Sequence, residues 1–132
     1  MCYTLLMKKT TVLSIIISFL FLLIGIFIYF IASQTKTTLI IFLRNYGADF
    51  CWLISFVFAL YPFIRNIFKR SVLITGSFCF VFGVIFEFLQ KLNLTKGTGD
   101  VCDILSYLLA TILSCLLIKY IYKREKNYEK TY

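Results

Sequence analysis

Four long apolar blocks constrain this chain more than any other feature of its sequence. They cover residues 12–32, 46–64, 71–90 and 101–122. An α-helix rises about 1.5 Å per residue and needs about 20 residues to cross the hydrocarbon core of a bilayer. The apolar runs are continuous, whereas the strands of a transmembrane barrel alternate apolar and polar residues. The pattern therefore predicts an all-α integral membrane four-helix bundle, a single domain that occupies residues 1–132.

The composition excludes an ordinary soluble domain. Hydrophobic residues make up 61% of the 132 positions and charged residues only 15%, and a soluble domain needs a larger polar fraction to cover its surface. Lys8 and Lys9 before the first block fit the start of a cleaved signal peptide. However, the apolar core is too long for one, and 30–33 is a poor cleavage site. We expect the first block to be retained as a membrane helix.

Basic residues are distributed unevenly across the predicted membrane. Ten of the fourteen lysines and arginines lie in the N-terminal segment, in the loop between the second and third blocks, and at the C-terminal end. They are Lys8, Lys9, Arg65, Lys69, Arg70, Lys119, Lys123, Arg124, Lys126 and Lys130. A four-pass chain places these segments on one side, and cytoplasmic loops carry an excess of Lys and Arg. We therefore expect a bacterial cytoplasmic-membrane protein with both termini in the cytoplasm, ending in a short basic tail, 123–132.

Acidic residues have the opposite distribution. Only Glu125 and Glu129 lie on the predicted cytoplasmic side, which leaves a net charge of +8 there, whereas the outer side has four basic and four acidic residues. The cytoplasmic excess favours contact with anionic lipid headgroups. Nucleic acid is not an expected partner, because the basic tail is short and contains no recognisable binding module. The balanced outer side indicates pairing of charges.

Each apolar block also carries a stripe of small or polar residues at helical spacing. Helices in lipid associate through small residues and interhelical hydrogen bonds, so we expect these stripes to face the bundle interior. The four stripes are Ser14, Ser18, Gly25, Tyr29 and Ala32; Asp49, Trp52, Ser55, Ala59 and Pro62; Gly76, Cys79, Gly83, Glu87 and Gln90; and Asp103, Tyr107, Ala110, Thr111 and Ser114.

Polar residues gather at the predicted outer boundary, where they form a candidate ligand-binding site. The candidates are Arg44, Asn45, Asp49, Glu87, Gln90, Thr98, Asp100, Asp103 and Tyr107. Some of the acids have a purely structural explanation. Asp100 suits a helix N-cap, and the helix dipole favours a carboxylate such as that of Asp103 in the first turn.

Glu87 is harder to explain by capping. It lies near the C-terminal end of its predicted helix, where the helix dipole disfavours an anion and an ionisable group in the membrane is costly. It therefore needs a partner, and Arg44, Lys91 or a proton shared with Asp103 are the candidates. Glu87 and Asp103 are also the catalytic candidates, as a general acid and base.

Metal and cysteine chemistry are not expected. A hard-cation site formed by Glu87, Asp100 and Asp103 is the less favoured alternative, and no cofactor is predicted. The chain has five cysteines and no histidine, and it lacks the paired spacing of a structural zinc site. A disulfide between Cys51 and Cys102 stays open, although we favour cysteine as a small apolar filler.

Three stretches of the sequence resemble the VanZ-like family of small bacterial membrane proteins. They are 44-RNYGAD-49, 87-EFLQ-90 and 97-GTGDVCDILSY-107, and the resemblance covers roughly residues 40–117. Its most specific part is Glu-x-x-Gln followed by Gly-Thr-x-Asp-x-x-Asp. The chain departs from the family pattern at Gly99, where an aromatic residue is common, and at Thr111, where glycine is common.

The resemblance implies a role in the cell envelope, in a family whose named member is associated with low-level teicoplanin resistance. Our leading hypothesis is a protein that binds a lipid-linked or amphiphilic molecule at the outer leaflet, with membrane lipids as its other partners. The second is an enzyme that uses Glu87 and Asp103 on an envelope lipid. The third is a structural or assembly subunit whose acids only cap helices. Self-association stays open, and a transporter is less favoured because no inverted repeat is evident.

Overall fold

The computed structural model describes residues 2–33, 40, 42–65, 67, 70–92, 94 and 101–129. These residues form four long helices, which are α1 (Cys2–Ser33), α2 (Ala48–Ile64), α3 (Ser71–Lys91) and α4 (Val101–Glu129). A short π-helical segment, Leu43–Gly47, runs directly into α2. α1, α3 and α4 each contain a stretch that is long and apolar enough to span a membrane, and a fourth such stretch, Asn45–Ile64, joins α2 to the end of the π-helical segment. The all-α prediction is confirmed, and the four spans indicate a multi-pass membrane protein.

The first and last helices of the chain are longer than the apolar blocks that predict them. α1 begins at Cys2 and α4 continues to Glu129, so most of the basic tail is helical. Apolar sequence marks only the part of a helix that suits hydrocarbon. A helix continues beyond it for as long as its residues have adequate helix propensity. The candidate spans themselves, such as Thr10–Ile31 and Val101–Tyr122, agree closely with the predicted blocks.

The second helix is the centre of the bundle. α2 contacts α1, α3 and α4, while α3 and α4 also pack on each other and α1 packs mainly on α2. The buried core accordingly lies mostly on α2, through Leu53, Ile54, Val57, Phe58 and Tyr61. The outer faces expose large apolar side chains, which suit contact with lipid. The bundle is thus a three-helix core with α1 on its side.

The predicted interior stripes hold best in α3 and α4. Gly76, Cys79, Gly83 and Glu87 are buried in α3, as are Asp103, Tyr107, Ala110 and Ser114 in α4, with Gln90 and Thr111 half-buried. In α1, Ser14 and Gly25 are buried and Ser18 is half-buried, but Tyr29 is 54% exposed. Ala32 lies outside the described side chains.

The predicted stripe fails most clearly in α2. Ser55 is buried, Asp49, Ala59 and Pro62 are half-buried, and Trp52 is 42% exposed. The reason is that α2 has neighbours on three sides, so its burial does not follow a single face. The prediction of an interior position was therefore wrong for Trp52 and Tyr29, whose rings lie together on the outside with centroids 6.5 Å apart.

Small residues allow the close approach of the helices. A Cβ atom at Gly25 of α1 would lie 2.5 Å from the Trp52 indole, so only glycine lets α1 come this near. Further along the same interface, the Ser18 hydroxyl donates to the Ser55 carbonyl oxygen at 2.9 Å. Hydrogen bonds and small residues of this kind are what hold helices together in lipid.

The two ends of the bundle differ in chemistry. We call the end where α1 and α3 finish and α2 and α4 begin the acidic end, and the opposite one the basic end. At the basic end, Arg65 Nη1 donates to Thr10 Oγ1 at 3.1 Å, and its Cζ lies 4.4 Å from the centroid of the Tyr122 ring. The Tyr122 hydroxyl in turn lies 3.2 Å from Ser14 Oγ. This cluster ties α1 and the end of α2 to α4.

Cys51 and Cys79 act as small packing residues in the interior. Cys51 is buried and Cys102 is exposed, and both are free thiols, so the structure contains no disulfide between them. Cys79 and Cys115 are also free. Cys79 is fully buried in the core, between α3 and its neighbours.

Candidate functional site

Three carboxyl groups come together at the acidic end. Asp49 lies in the first turn of α2, Glu87 near the end of α3 and Asp103 in the first turn of α4. Asp49 interacts electrostatically with both of the others. Glu87 and Asp103 are only 4% and 7% exposed, whereas Asp49 is half-buried. The fold therefore collects acids that are far apart in sequence into one cluster, the acidic cluster.

Tyr107 joins this cluster by a direct hydrogen bond. Its hydroxyl donates to Glu87 Oε1 at 2.9 Å in a buried setting, and the phenol group is also within electrostatic range of Asp49 and Asp103. The ring can lie against α3 because Gly83 has no side chain, and a Cβ there would be 3.0 Å from Tyr107 Cδ2. Sequence reasoning named Tyr107 as a candidate but did not recognise it as a partner of Glu87. The signal was its position one helical turn after Asp103.

The other sequence candidates are placed less centrally. Asn45 is exposed in the π-helical segment, and Gln90 is half-buried in the last turn of α3. Arg44 belongs to the same π-helical segment, and its side chain lies outside the described part. Thr98 and Asp100 lie outside the described residues altogether, so the capping role of Asp100 stays a prediction.

A groove between α2 and α3 leads to the acidic cluster. It has a volume of about 240 Å³ and is lined by Asp49, Trp52, Leu53, Phe56, Phe82, Gly83, Phe86 and Tyr107. The aromatic residues recur four positions apart on both helices, so they share a face. None of these Phe residues belongs to the predicted interior stripes, so their role as groove walls was not predicted. Glu87 and Asp103 are not among the lining residues.

The groove differs in its lining from a second, larger hollow among the described residues. That hollow, of about 520 Å³, lies along α1 and is lined only by apolar residues such as Leu20, Phe27 and Phe30. It has no polar group that could orient a ligand, so lipid chains suffice to fill it. The groove between α2 and α3 also has mainly apolar walls, but it has the acidic residue Asp49 among its lining residues.

The ligands that the site can bind are set by its carboxyl and phenol oxygen atoms. Within the described ranges, no three His, Cys, Asp or Glu side chains form a group that could hold a metal ion. The cluster instead presents carboxyl groups and a phenol, which bind cations and hydrogen-bond donors or exchange protons. Asp49 and Tyr107 would meet a molecule in the groove, because they line it.

Comparisons with known proteins add no relative: no family model, no curated protein and no solved structure matches the chain. The resemblance to VanZ-like proteins therefore rests on the three sequence stretches alone and stays a prediction.

Proposed function

We propose that this chain is a multi-pass protein of a bacterial cytoplasmic membrane that binds an amphiphilic or lipid-linked molecule for a function in the cell envelope. The observation that carries the proposal is the groove between α2 and α3. Its walls are apolar, and Asp49 and Tyr107 are among its lining residues at the end nearest the acidic cluster. An amphiphile has the matching division into an apolar chain and a polar head.

The groove opens toward the lipid, which favours entry from the membrane. Trp52, Phe82 and Phe86 line it and are 42%, 54% and 42% exposed on the outer face. Its volume of about 240 Å³ is below the range of roughly 300–1,000 Å³ for pockets that enclose a drug-sized ligand. The groove therefore suits a head and the first part of a chain, with the rest of the chain in the bilayer.

The structure favours binding over a reaction catalysed by Glu87 and Asp103. Glu87 and Asp103 are buried, and neither lines the groove. A molecule in the groove would contact Asp49 and Tyr107 first. The resemblance to VanZ-like proteins supports the same compartment and links the site to glycopeptide resistance.

The charge distribution supports an orientation with the acidic end outside and both termini in the cytoplasm. Cys102 offers a test, because this exposed free thiol lies in the first turn of α4. In a Cys2→Ala background, we expect a membrane-impermeant maleimide to label Cys102 in intact cells. The control Cys102→Ala should abolish the labelling. Labelling that occurs only in inside-out vesicles would reverse the orientation.

Phe82 tests the groove itself. The Phe82 ring lines the groove and lies 5.7 Å from the Phe56 ring across the α2–α3 interface. In Phe82→Ala we expect about a tenfold loss of bound amphiphile, since losing a buried aromatic contact costs roughly 1.5 kcal/mol. The measurement is mass spectrometry of amphiphiles extracted from the protein after purification in mild detergent.

Phe78→Ala is the matched control for this test. Phe78 precedes Phe82 by one turn on the same helix and is equally exposed, at 54%, but it does not line the groove. Its replacement should leave the bound amphiphile unchanged. An equal loss in both variants, or in neither, would contradict the proposed site.

A further inference from the structure

Aromatic rings make up most of the groove wall. Five of the eight lining residues are aromatic, namely Trp52, Phe56, Phe82, Phe86 and Tyr107. The face of an aromatic ring is the negative end of its quadrupole, and it attracts a cation within about 6 Å of its centre. Aromatic-lined sites of this kind recognise ammonium groups in proteins. The wall is therefore more than a surface for hydrocarbon.

The acidic residue that lines the groove also favours a cationic ligand. Asp49 is the one acidic residue among the eight that line the groove, and none of the eight is basic. Glu87 and Asp103 interact electrostatically with Asp49, so acidic groups are concentrated beside this end of the groove. Two independent features, the aromatic lining and the Asp49 carboxyl group, thus favour the same sign of ligand charge.

We propose that the groove selects amphiphiles whose head carries a net positive charge on nitrogen, as an amine or quaternary ammonium group. This inference rests on the proposed function and names the class of ligand. The nitrogen would lie between the ring faces and the Asp49 carboxyl group, and the chain would leave toward Trp52 and the lipid.

A zwitterionic phospholipid is a poorer match than a cationic amphiphile. Its ammonium group suits the ring faces, but the phosphate attached to it would have to lie near the acidic cluster. Like charges brought together at a binding site are unfavourable. The inference therefore commits to a net cationic amphiphile, and binding of a zwitterionic lipid is an outcome that would contradict it.

Trp52 reports on the groove without any added label. It is the only tryptophan in the chain, and it lines the groove. The experiment uses the full-length protein in phosphatidylcholine nanodiscs. Three probes carry the same brominated alkyl tail and differ in the head group. Bromine quenches tryptophan fluorescence on contact, so quenching of Trp52 reports a probe in the groove. The heads are trimethylammonium, sulfate and maltoside, and each probe is compared at its measured mole fraction in the disc.

We expect the trimethylammonium probe to quench Trp52 saturably, with half-saturation at about a tenfold lower mole fraction than the maltoside probe. The sulfate probe should show only linear, unsaturated quenching. In Asp49→Asn, the preference for trimethylammonium over maltoside should fall by about threefold or more. Circular dichroism checks that this variant is folded, and the comparison of head groups in the unmodified chain does not depend on it.

A relocated reporter supplies the control. In Trp52→Phe/Phe63→Trp, the tryptophan moves to a position on α2 that is 72% exposed and outside the groove. It should report partition into the disc alone, with no difference between heads.

The outcomes separate the two proposals. Equal quenching by all three probes overturns the cationic preference, and so does stronger quenching by the sulfate probe. Binding of the surrounding phosphatidylcholine in the groove would also produce equal quenching. An unchanged head preference in folded Asp49→Asn overturns the assignment to Asp49. Saturable quenching by the maltoside probe in any of these cases leaves the proposed amphiphile site standing. Linear quenching by every probe contradicts the proposed function as well.

Discussion

Replacing Gly76 with alanine is expected to destabilise the bundle by about 1–3 kcal/mol, the usual cost of overpacking a tight interface. A Cβ atom at this position would lie 2.6 Å from Cys115 Sγ and 3.2 Å from Thr111 Cγ2. Alanine has a higher helix propensity than glycine by roughly 1 kcal/mol, which offsets part of this cost. The free energy of unfolding is measured by titrating the purified protein in mixed micelles with sodium dodecyl sulfate.

Two further variants show whether the contact with α4 is the cause. Cys115→Ala removes the sulfur atom, so Gly76→Ala/Cys115→Ala should be less destabilised than the two single changes predict, by at least about 0.5 kcal/mol. Gly47→Ala is the control, since a Cβ there would have no neighbour closer than 3.7 Å. If Gly76→Ala is tolerated as well as Gly47→Ala, α3 and α4 are not as close as the structure shows.

How far sequence spacing predicts burial depends on the number of neighbours that a helix has. α3 and α4 each present one main face to the bundle, so the stripes of small and polar residues identified their interior correctly. α2 is surrounded on three sides, and large apolar residues such as Ile54 and Phe58 are fully buried there. In a lipid environment an apolar residue suits both the interior and the outside, so hydropathy cannot distinguish these two positions.

The candidate site was predictable only in part. The positions of Asp49, Glu87 and Asp103 at helix ends follow from the lengths of the apolar blocks, and antiparallel helices bring these ends together. The hydrogen bond from Tyr107 to Glu87 depends on the rotation of α4 against α3 and on the space left by Gly83. The groove depends on how α2 and α3 are rotated against each other, which the four-residue spacing of its aromatic residues does not specify.

The ends of the bundle illustrate two ways of placing charge in a membrane protein. At the basic end, Arg65 has a hydroxyl partner on α1 and an aromatic ring on α4, so its charge contributes to packing among helices. At the acidic end, Asp49 is half-buried and lines an open groove. Arg65 contacts other helices, whereas Asp49 lines a groove that a ligand could enter. The acidic end is therefore the better candidate for binding.

Replacing Tyr107 with phenylalanine is expected to lower the free energy of unfolding by about 1–3 kcal/mol, the range for removing a donor from a buried polar partner. The change deletes the hydroxyl that donates to Glu87 Oε1 at 2.9 Å. Glu87 is 4% exposed, and bulk water cannot readily replace the lost bond at this depth. The same denaturant titration measures the effect.

Controls identify the hydrogen bond as the cause. Tyr120→Phe changes the same residue type on the same helix at a side chain that is 66% exposed, so it should alter stability by no more than about 0.5 kcal/mol. Glu87→Leu/Tyr107→Phe removes both partners of the bond, so its loss of stability should be smaller than the sum of the losses in the two single variants. A loss in Tyr107→Phe no larger than in Tyr120→Phe would contradict the bond.

Tyr107→Phe also separates a structural role of the acidic cluster from a binding role. The variant keeps its ring in the groove wall and loses only the hydroxyl. If the cluster serves structure alone, the variant loses stability while saturable quenching of Trp52 is absent in both proteins. If the groove binds an amphiphile, folded Tyr107→Phe should still show saturable quenching by the trimethylammonium probe, because the rings and Asp49 remain. Stability and binding then respond to different atoms of one residue.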